Sequence, residues 1–217
     1  MKDQKKLTYY PPLEEKLNII SHAFGFLLSI AALVVLVVRA CMVGNAWHIV
    51  SVSVFGTSMI LLYAASTIYH SAQSEKWRYR LNVLDHASIY VLIAGSYTPF
   101  ALVTLNGPVG WVIFGIIWGL AITGVVLKLF FIGKFPHLST AMYVGMGWLV
   151  IFAMKPLIDN LHIGGLYWLV AGGIAYTVGA LFYSIKKIQL NHAIFHLFVL
   201  LGSICHFSAV FFYVLPG

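Results

Sequence analysis

Histidines in two distant parts of the sequence have the spacing of metal ligands on helices. His192 and His196 lie four residues apart, and Ser66 and His70 repeat that spacing. Residues four apart share one face of an α-helix, so the members of each pair can reach the same site. Three neutral imidazoles with an open fourth position are the ligand set of catalytic zinc, whose bound water has a pKa of about 7 and is a nucleophile at neutral pH. His70, His192 and His196 are therefore the candidate zinc ligands.

Two further residues can take part in such chemistry. Asp85 can act as a general base or orient a zinc ligand, and Ser66 can hydrogen-bond water or a substrate oxyanion. An alternative stays open for the histidines, because a histidine within a membrane is often only a hydrogen-bonding residue between helices. Glu15, Asn18 and His22 form one helical stripe that is either an interfacial anchor or a support for the site.

The other histidines give weaker signals. His206 lies ten residues after His196, which places it about 15 Å further along a helix and rotated away, so we interpret it as a packing or hydrogen-bonding residue. His86 is next to Asp85, and the sequence assigns it no role. The three remaining histidines lie at loop edges and are expected to be solvated; they are His48, His137 and His162.

The composition places these residues in a membrane protein. Of 217 residues, 61% are hydrophobic and only 9% are charged, whereas globular proteins are about half apolar and a quarter charged. Cys41 and Cys205 both lie in apolar runs, so neither a disulfide framework nor a cysteine zinc site is expected. The first residues do not match a removable signal peptide.

Seven apolar runs are long enough to cross a bilayer, which takes about 20 helical residues. This predicts an all-α membrane protein that forms a seven-transmembrane helix bundle, with residues 1–18 as an N-terminal segment and 19–217 as the membrane domain. The fifth run is the shortest and is rich in glycine. The runs are Ile19–Met42, Ala46–Tyr69, Leu84–Leu105, Val109–Phe131, Thr140–Leu157, Ile163–Ile185 and Ala193–Leu215.

The basic residues predict the orientation of the bundle. Lys and Arg in short loops stay on the cytoplasmic side, and here nearly all of them precede the first run or lie in every second loop. The opposite loops contain only Arg39 and Lys155. The N-terminus is therefore expected in the cytoplasm and the C-terminus outside, in a multi-pass protein of the inner or plasma membrane. Because topology explains the net charge of +7, no nucleic-acid partner is expected.

This topology brings polar residues from four helices to one membrane level. Ionisable groups within a membrane are costly, so their convergence indicates a functional site. They lie at the cytoplasmic ends of spans one, two, three and seven, and they are Glu15, Asn18 and His22, then Ser66 and His70, then Asp85 and His86, and finally His192 and His196.

Several motifs in this order resemble those of a known family. They are Glu15-Lys16-Leu17-Asn18 with Ser21-His22, Ser66-Thr67-Ile68-Tyr69-His70-Ser71, Leu84-Asp85-His86-Ala87-Ser88-Ile89, Gly95-Ser96-Tyr97-Thr98-Pro99, His192-Ala193-Ile194-Phe195-His196 and Cys205-His206-Phe207. From Glu15 to Phe212 the chain is similar to haemolysin III proteins, the bacterial branch of the progestin and adiponectin receptor family, which is related to alkaline ceramidases.

The resemblance implies seven helices with the N-terminus inside and a zinc ion near the cytoplasmic face. The three zinc-binding histidines of the family map onto His70, His192 and His196. Asp85 and Ser66 correspond to the aspartate and serine that the family shares with alkaline ceramidases.

Three functions remain open. The first is a zinc-dependent hydrolase of an amide or ester in a lipid, with Asp85 as base and Ser66 at the oxyanion. The second is a membrane-homeostasis or receptor-like protein in which zinc is structural. The third, a cytolytic pore, ranks lowest because the outer halves of the spans have almost no ionisable residues. A membrane lipid is the expected partner, as substrate or bound ligand, and the sequence predicts neither its identity nor the oligomeric state.

Overall fold

The computed structural model describes residues 9–131 and 136–216. Over this range the chain is almost entirely helical, and seven helical segments of 22–32 residues are long and apolar enough to cross a membrane. Large hydrophobic side chains are exposed along them, as expected where lipid is the solvent. The predicted fold class, a seven-helix membrane bundle, is confirmed.

Each span is built from one or more helical elements. Two π-helical turns extend the third and last spans, over Phe100–Thr104 and Val210–Val214, and a 3₁₀ segment, Trp148–Ala153, joins the two parts of the fifth. The α-helices are α1 (Pro12–Val43), α2 (Ala46–Ser71), α3 (Glu75–Pro99), α4 (Pro108–Phe131), α5 (Pro136–Gly147), α6 (Met154–Asn160), α7 (Ile163–Ser184) and α8 (Asn191–Ala209).

The fifth span is continuous although its helix changes type in the middle. The sequence predicts it over Thr140–Leu157, and the structure extends it to Leu138–Asn160. Pro156 does not end the span, because it lies in the first turn of α6, where a proline removes no intrahelical hydrogen bond.

Two helices begin earlier than their apolar runs. The first begins at Pro12 rather than Ile19, and the third begins at Glu75 rather than Leu84. Hydropathy marks only the lipid-facing part of a helix, whereas these helices continue through polar residues that are held by the contacts described below. The predicted boundary between residues 18 and 19 therefore falls inside α1.

The helices form a ring. Neighbours in sequence pack together from α1 to α4, α7 packs on α8, α8 returns to α1, and α5 contacts both α3 and α7. Two glycines allow close approach: a Cβ at Gly56 would lie 2.6 Å from Leu33, and one at Gly172 would lie 2.3 Å from His206. The ring encloses a cavity that reaches the histidine end of the bundle.

The ends of the bundle differ in charge, as the sequence predicts. Lys16, Arg78, Lys128 and Lys186 belong to the end at which α1, α3 and α8 begin, and Arg39 belongs to the opposite end. The orientation relative to the membrane stays a prediction based on this distribution.

Candidate metal centre

Three buried imidazoles meet at one end of the bundle. His70 is in the last turn of α2, and His192 and His196 are in the first two turns of α8. One ring nitrogen from each lies within 4.8 Å of the others, and the Nε2 atoms of His70 and His192 are 3.2 Å apart. Two nitrogens bound to one tetrahedral zinc at about 2.0–2.1 Å lie about 3.3–3.4 Å from each other. The donor set therefore fits a single metal ion.

A carboxylate orients the His70 ring. Nδ1 of His70 lies 2.6 Å from Oε2 of Glu15. Glu15 is in the first turn of α1. An ionised carboxylate only accepts hydrogen bonds, so Nδ1 carries the proton and Nε2 keeps its lone pair. Metal-binding histidines are commonly held in this way by a carboxylate on the other ring nitrogen.

The hydroxyl of Ser21 performs the same task for His196. Ser21 donates its proton to the backbone carbonyl of Asn18 at 3.1 Å. Its oxygen can therefore only accept from Nδ1 of His196, which lies 3.5 Å away. This contact again leaves Nε2 of the imidazole as the nitrogen with a free lone pair.

His192 is held through both its ring and its backbone. The hydroxyl of Tyr10 lies 3.1 Å from Nδ1 of His192, and the two rings stack with centroids 4.4 Å apart. Burial raises the pKa of Tyr10 well above its usual range, so the phenol stays protonated. The backbone N–H of His192 donates to Oε1 of Glu14 at 2.9 Å, and this buried carboxylate thereby caps the start of α8.

Arg78 balances the charge of Glu15. Its guanidinium is buried, donates to Glu15 and lies 4.6 Å from the ring centroid of Tyr9 and 4.9 Å from that of Tyr69. Arginine suits such a position because it stacks on aromatic rings while it donates in the plane. Glu15 thus links a cation on α3 to an imidazole on α2.

A fourth histidine lies beside the cluster. The ring of His22 stacks on that of His196 with centroids 3.5 Å apart and an angle of 7° between the planes, and it meets the edge of Tyr63. His22 is outside the group of three whose nitrogens converge. Because it stacks on one face of the His196 ring, His22 restricts the orientation of that ring.

Asp85 and Ser66 line the same cavity as His192 and His196. The carboxylate of Asp85 lies 3.5 Å from Nδ1 of His86, which in turn contacts the carbonyl of Asn82. The buried hydroxyl of Ser66 has no hydrogen-bond partner within the described part of the chain. The Nδ1 atoms of the three imidazoles contact residues of the Tyr10–Ser21 stretch and not Asp85. The structure therefore places Asp85 in the cavity wall, and other residues orient the rings.

The cavity has a volume of about 960 Å³, near the upper end of the range of about 300–1,000 Å³ for small-molecule sites. One end is polar. The other end runs between apolar side chains of α2, α3, α7 and α8, which include Leu62, Leu92, Leu169 and Val199. A ligand with a polar group and a hydrocarbon chain matches this shape.

The remaining histidines lie away from the cluster. His206 is buried, lines the apolar part of the cavity and meets the edge of Tyr176. Asn45 and His48 form a capping box at the start of α2, and His162 caps α7 by accepting from the N–H of Gly164. The side chain of His137 is outside the described residues.

Sequence reasoning missed four residues that support the centre: Tyr10, Glu14, Ser21 and Arg78. Glu14 belongs to an acidic pair that follows two prolines closely. That pattern is also typical of an ordinary helix start, so it did not identify Glu14 as part of the site. Arg78 was counted only as a loop charge. No local spacing links Tyr10 or Ser21 to its histidine, because the partners lie 182 and 175 residues away.

Comparison with known proteins establishes the family. A family model described as Haemolysin-III related matches residues 11–207. The chain belongs to the haemolysin III family. Hemolysin-3 of Bacillus cereus is 51% identical over 203 residues, which are 94% of this chain and 93% of that protein. The Hemolysin-3 homolog of Bacillus subtilis (strain 168) is 50% identical over 200 residues, 92% of this chain and 94% of the relative.

More distant haemolysin III relatives extend into the progestin and adiponectin receptor family. Monocyte to macrophage differentiation factor of Homo sapiens is 27% identical over 210 residues, which cover 93% of this chain and 84% of the human protein. The comparison with solved structures gives no significant match. Together with the seven spans, membership of the haemolysin III family indicates a multi-pass protein of the plasma membrane.

Proposed function

We propose that the protein is a zinc-dependent hydrolase that cleaves an amide or ester bond of a membrane lipid. The observation that carries this proposal is one cavity that joins two of the clustered imidazoles, Asp85 and Ser66 to a long apolar compartment. Such a cavity can hold the carbonyl of a lipid at the polar end and its hydrocarbon chain at the other.

Zinc is the metal that best matches the three neutral imidazoles His70, His192 and His196. When bound, it would supply a Lewis acid and lower the pKa of a water molecule. The protein's own part is to orient the three rings through the Nδ1 contacts to Glu15, Tyr10 and Ser21. The contacts to Glu15 and Ser21 also fix the tautomers of His70 and His196, because both partners accept from Nδ1.

Asp85 and Ser66 have separate tasks in this proposal. Asp85 takes a proton from the water whose oxygen attacks the carbonyl carbon, and it returns the proton to the leaving nitrogen or oxygen as the C–N or C–O bond breaks. Ser66 donates a hydrogen bond to the developing oxyanion. A buried hydroxyl without a partner costs about 1–3 kcal/mol, which favours a role toward a ligand.

The test is lipid turnover by the purified protein in neutral detergent, followed by mass spectrometry of the acyl products. Asp85→Asn is expected to keep zinc and lose turnover, whereas His196→Ala loses both. Asp159→Asn is the matched control, because Asp159 is exposed on α6 and pairs with Lys155. Hydrolysis that survives Asp85→Asn and His196→Ala would contradict the proposal.

A second candidate is a receptor-like or homeostatic protein in which zinc is a structural clamp. One observation favours it. The three rings come from α2 and α8, and their Nδ1 partners come from residues 10–21, which include the first part of α1. A metal there would tie three helices together. This candidate predicts a thermal stability that depends on zinc and no product from any lipid.

The third candidate, a lytic pore, ranks last. Arg39 at the opposite end donates to the carbonyl of Pro216, and Lys155 pairs with Asp159 at the exposed surface. Within the described residues these side chains do not extend the polar end of the cavity through the bundle. Conductance of a bilayer that contains only the purified protein would revive this candidate.

A further inference from the structure

A buried lysine lies in the wall of the cavity, outside the proposed metal centre. Lys128, in the last turn of α4, is only 5% exposed. Its Nζ atom donates to Oγ of Ser139 at 2.7 Å and lies 5.8 Å from the ring centroid of Tyr143. The hydroxyl and the ring are both uncharged, so they stabilise an ammonium group only in part.

Lys128 has no anionic partner among the residues that the structure describes. The carboxylates of Glu15 and Asp159 form ion pairs elsewhere, and Asp85 is next to His86 rather than to the lysine. A charge buried without a counter-ion is costly, and an ionisable residue within a membrane span is functional by default. The missing counter-ion is therefore expected to come from a ligand.

The lysine belongs to the polar end of the cavity. Asp85, His86, His192 and Tyr143 line the cavity together with Lys128. Lys186 is exposed at the cavity's edge, with its Nζ atom 3.9 Å from the ring centroid of Tyr183. A second cation therefore lies at the exposed edge of the cavity, where a charged headgroup would enter. The apolar compartment is the other end of the same cavity.

We propose that Lys128 forms a subsite for the anionic headgroup, a phosphate or a carboxylate, of a lipid whose hydrocarbon chain occupies the apolar compartment. This inference rests on the proposed function, in that the ligand is a lipid, and it adds the chemical class of the headgroup. An oxyanion fits because it accepts charge-assisted hydrogen bonds from the ammonium donors that Ser139 does not use. A free anion fits less well, because most of the cavity wall is apolar.

The test is binding of matched single-chain lipids to the full-length protein in neutral detergent, followed by native mass spectrometry. The probes are 1-oleoyl lysophosphatidate, oleate and the uncharged monoolein. The protein is expected to bind at least one acidic lipid about tenfold more tightly than monoolein, since a charged pair is formed in a buried site. Preference for lysophosphatidate alone assigns a phosphate, and preference for oleate alone assigns a carboxylate.

Substitutions assign the preference to the lysine. Lys128→Met is expected to abolish it and Lys128→Arg to keep it; should Lys128→Met fail to fold, Lys128→Gln replaces it as the neutral variant. Lys155→Met is the matched control, because Lys155 is exposed at the other end of the bundle and paired with Asp159. Equal binding of all three lipids by the unmodified protein, or an unchanged preference in the neutral variant, would overturn the inference.

Two further readouts separate the possible failures. Inorganic phosphate that displaces lysophosphatidate at equal concentration would assign the site to a free anion and overturn the lipid assignment. Binding is measured apart from hydrolysis, so a preference that depends on Lys128 without any turnover rejects only the hydrolase. Turnover that shows no preference for acidic lipids rejects only the headgroup subsite.

Discussion

The carboxylate of Glu15 lies 2.6 Å from Nδ1 of His70, and the same carboxylate accepts from Arg78. This relationship joins the first turn of α1 to the last turn of α2 and the first turn of α3. It fixes the tautomer of His70, because the proton must stay on Nδ1 for the contact to exist. The sequence leaves open whether Glu15 is an interfacial anchor or a support for the site. In the structure it is part of the candidate metal centre.

Glu15→Gln is expected to weaken zinc binding about 10- to 100-fold, the usual effect of removing a partner that orients a metal-binding histidine. The amide can still donate or accept, but it no longer favours the proton on Nδ1 through its charge. Zinc affinity is measured by competition with a chelator in detergent. Glu75→Gln is the matched control, because Glu75 is an exposed carboxylate in the first turn of α3. Equal losses in both variants would contradict the assignment.

Arg78→Met is expected to destabilise the bundle by roughly 3 kcal/mol, because it leaves Glu15 without its cation. The partial exposure of Glu15 places this value at the low end for a broken buried pair. Thermal unfolding in detergent measures the loss. Arg80→Met serves for comparison, since Arg80 is exposed two residues away and its guanidinium lies 5.5 Å from the ring centroid of Trp77. A stability of Arg78→Met equal to that of Arg80→Met would show that the buried pair contributes nothing.

Removal of the metal is expected to lower the unfolding temperature. A ligand that binds only the folded protein stabilises it by about 2.7 kcal/mol at a concentration 100 times its Kd. The comparison is made between chelated protein and protein with added zinc, with His196→Ala as the variant that should not respond. His48→Ala should respond like the unmodified protein, because His48 caps α2 at the other end of the bundle. A zinc response that His196→Ala retains would place the ion elsewhere.

Glu14→Gln is expected to loosen the start of α8 without abolishing the centre. The carboxylate of Glu14 accepts from the N–H of His192, and loss of such a cap costs about 0.5–2 kcal/mol. Hydrogen exchange of the backbone amides in the first turn of α8 measures the effect. Exchange that rises equally in the unrelated helix α4 would argue against a local cap.

Sequence separation decides which parts of the site could be predicted: residues close in sequence follow helix periodicity, and residues far apart in sequence do not. His192 and His196 were identifiable because a four-residue spacing has a fixed meaning on a helix. The seven spans followed from the thickness of the bilayer. The contact of Glu14 with His192 joins residues that are 178 positions apart, and no periodic pattern predicts such a pair. Lys128 shows the same limit, since only the packed bundle reveals that its charge faces a cavity and not water.

The most direct test of the central claim is zinc content by elemental analysis, combined with X-ray absorption at the zinc edge. The unmodified protein is expected to hold one zinc per chain with three nitrogen ligands at about 2.0–2.1 Å. His192→Ala is expected to hold none. Purified, folded protein without zinc, or His192→Ala with the same zinc content and spectrum, would contradict the claim that His70, His192 and His196 share one ion.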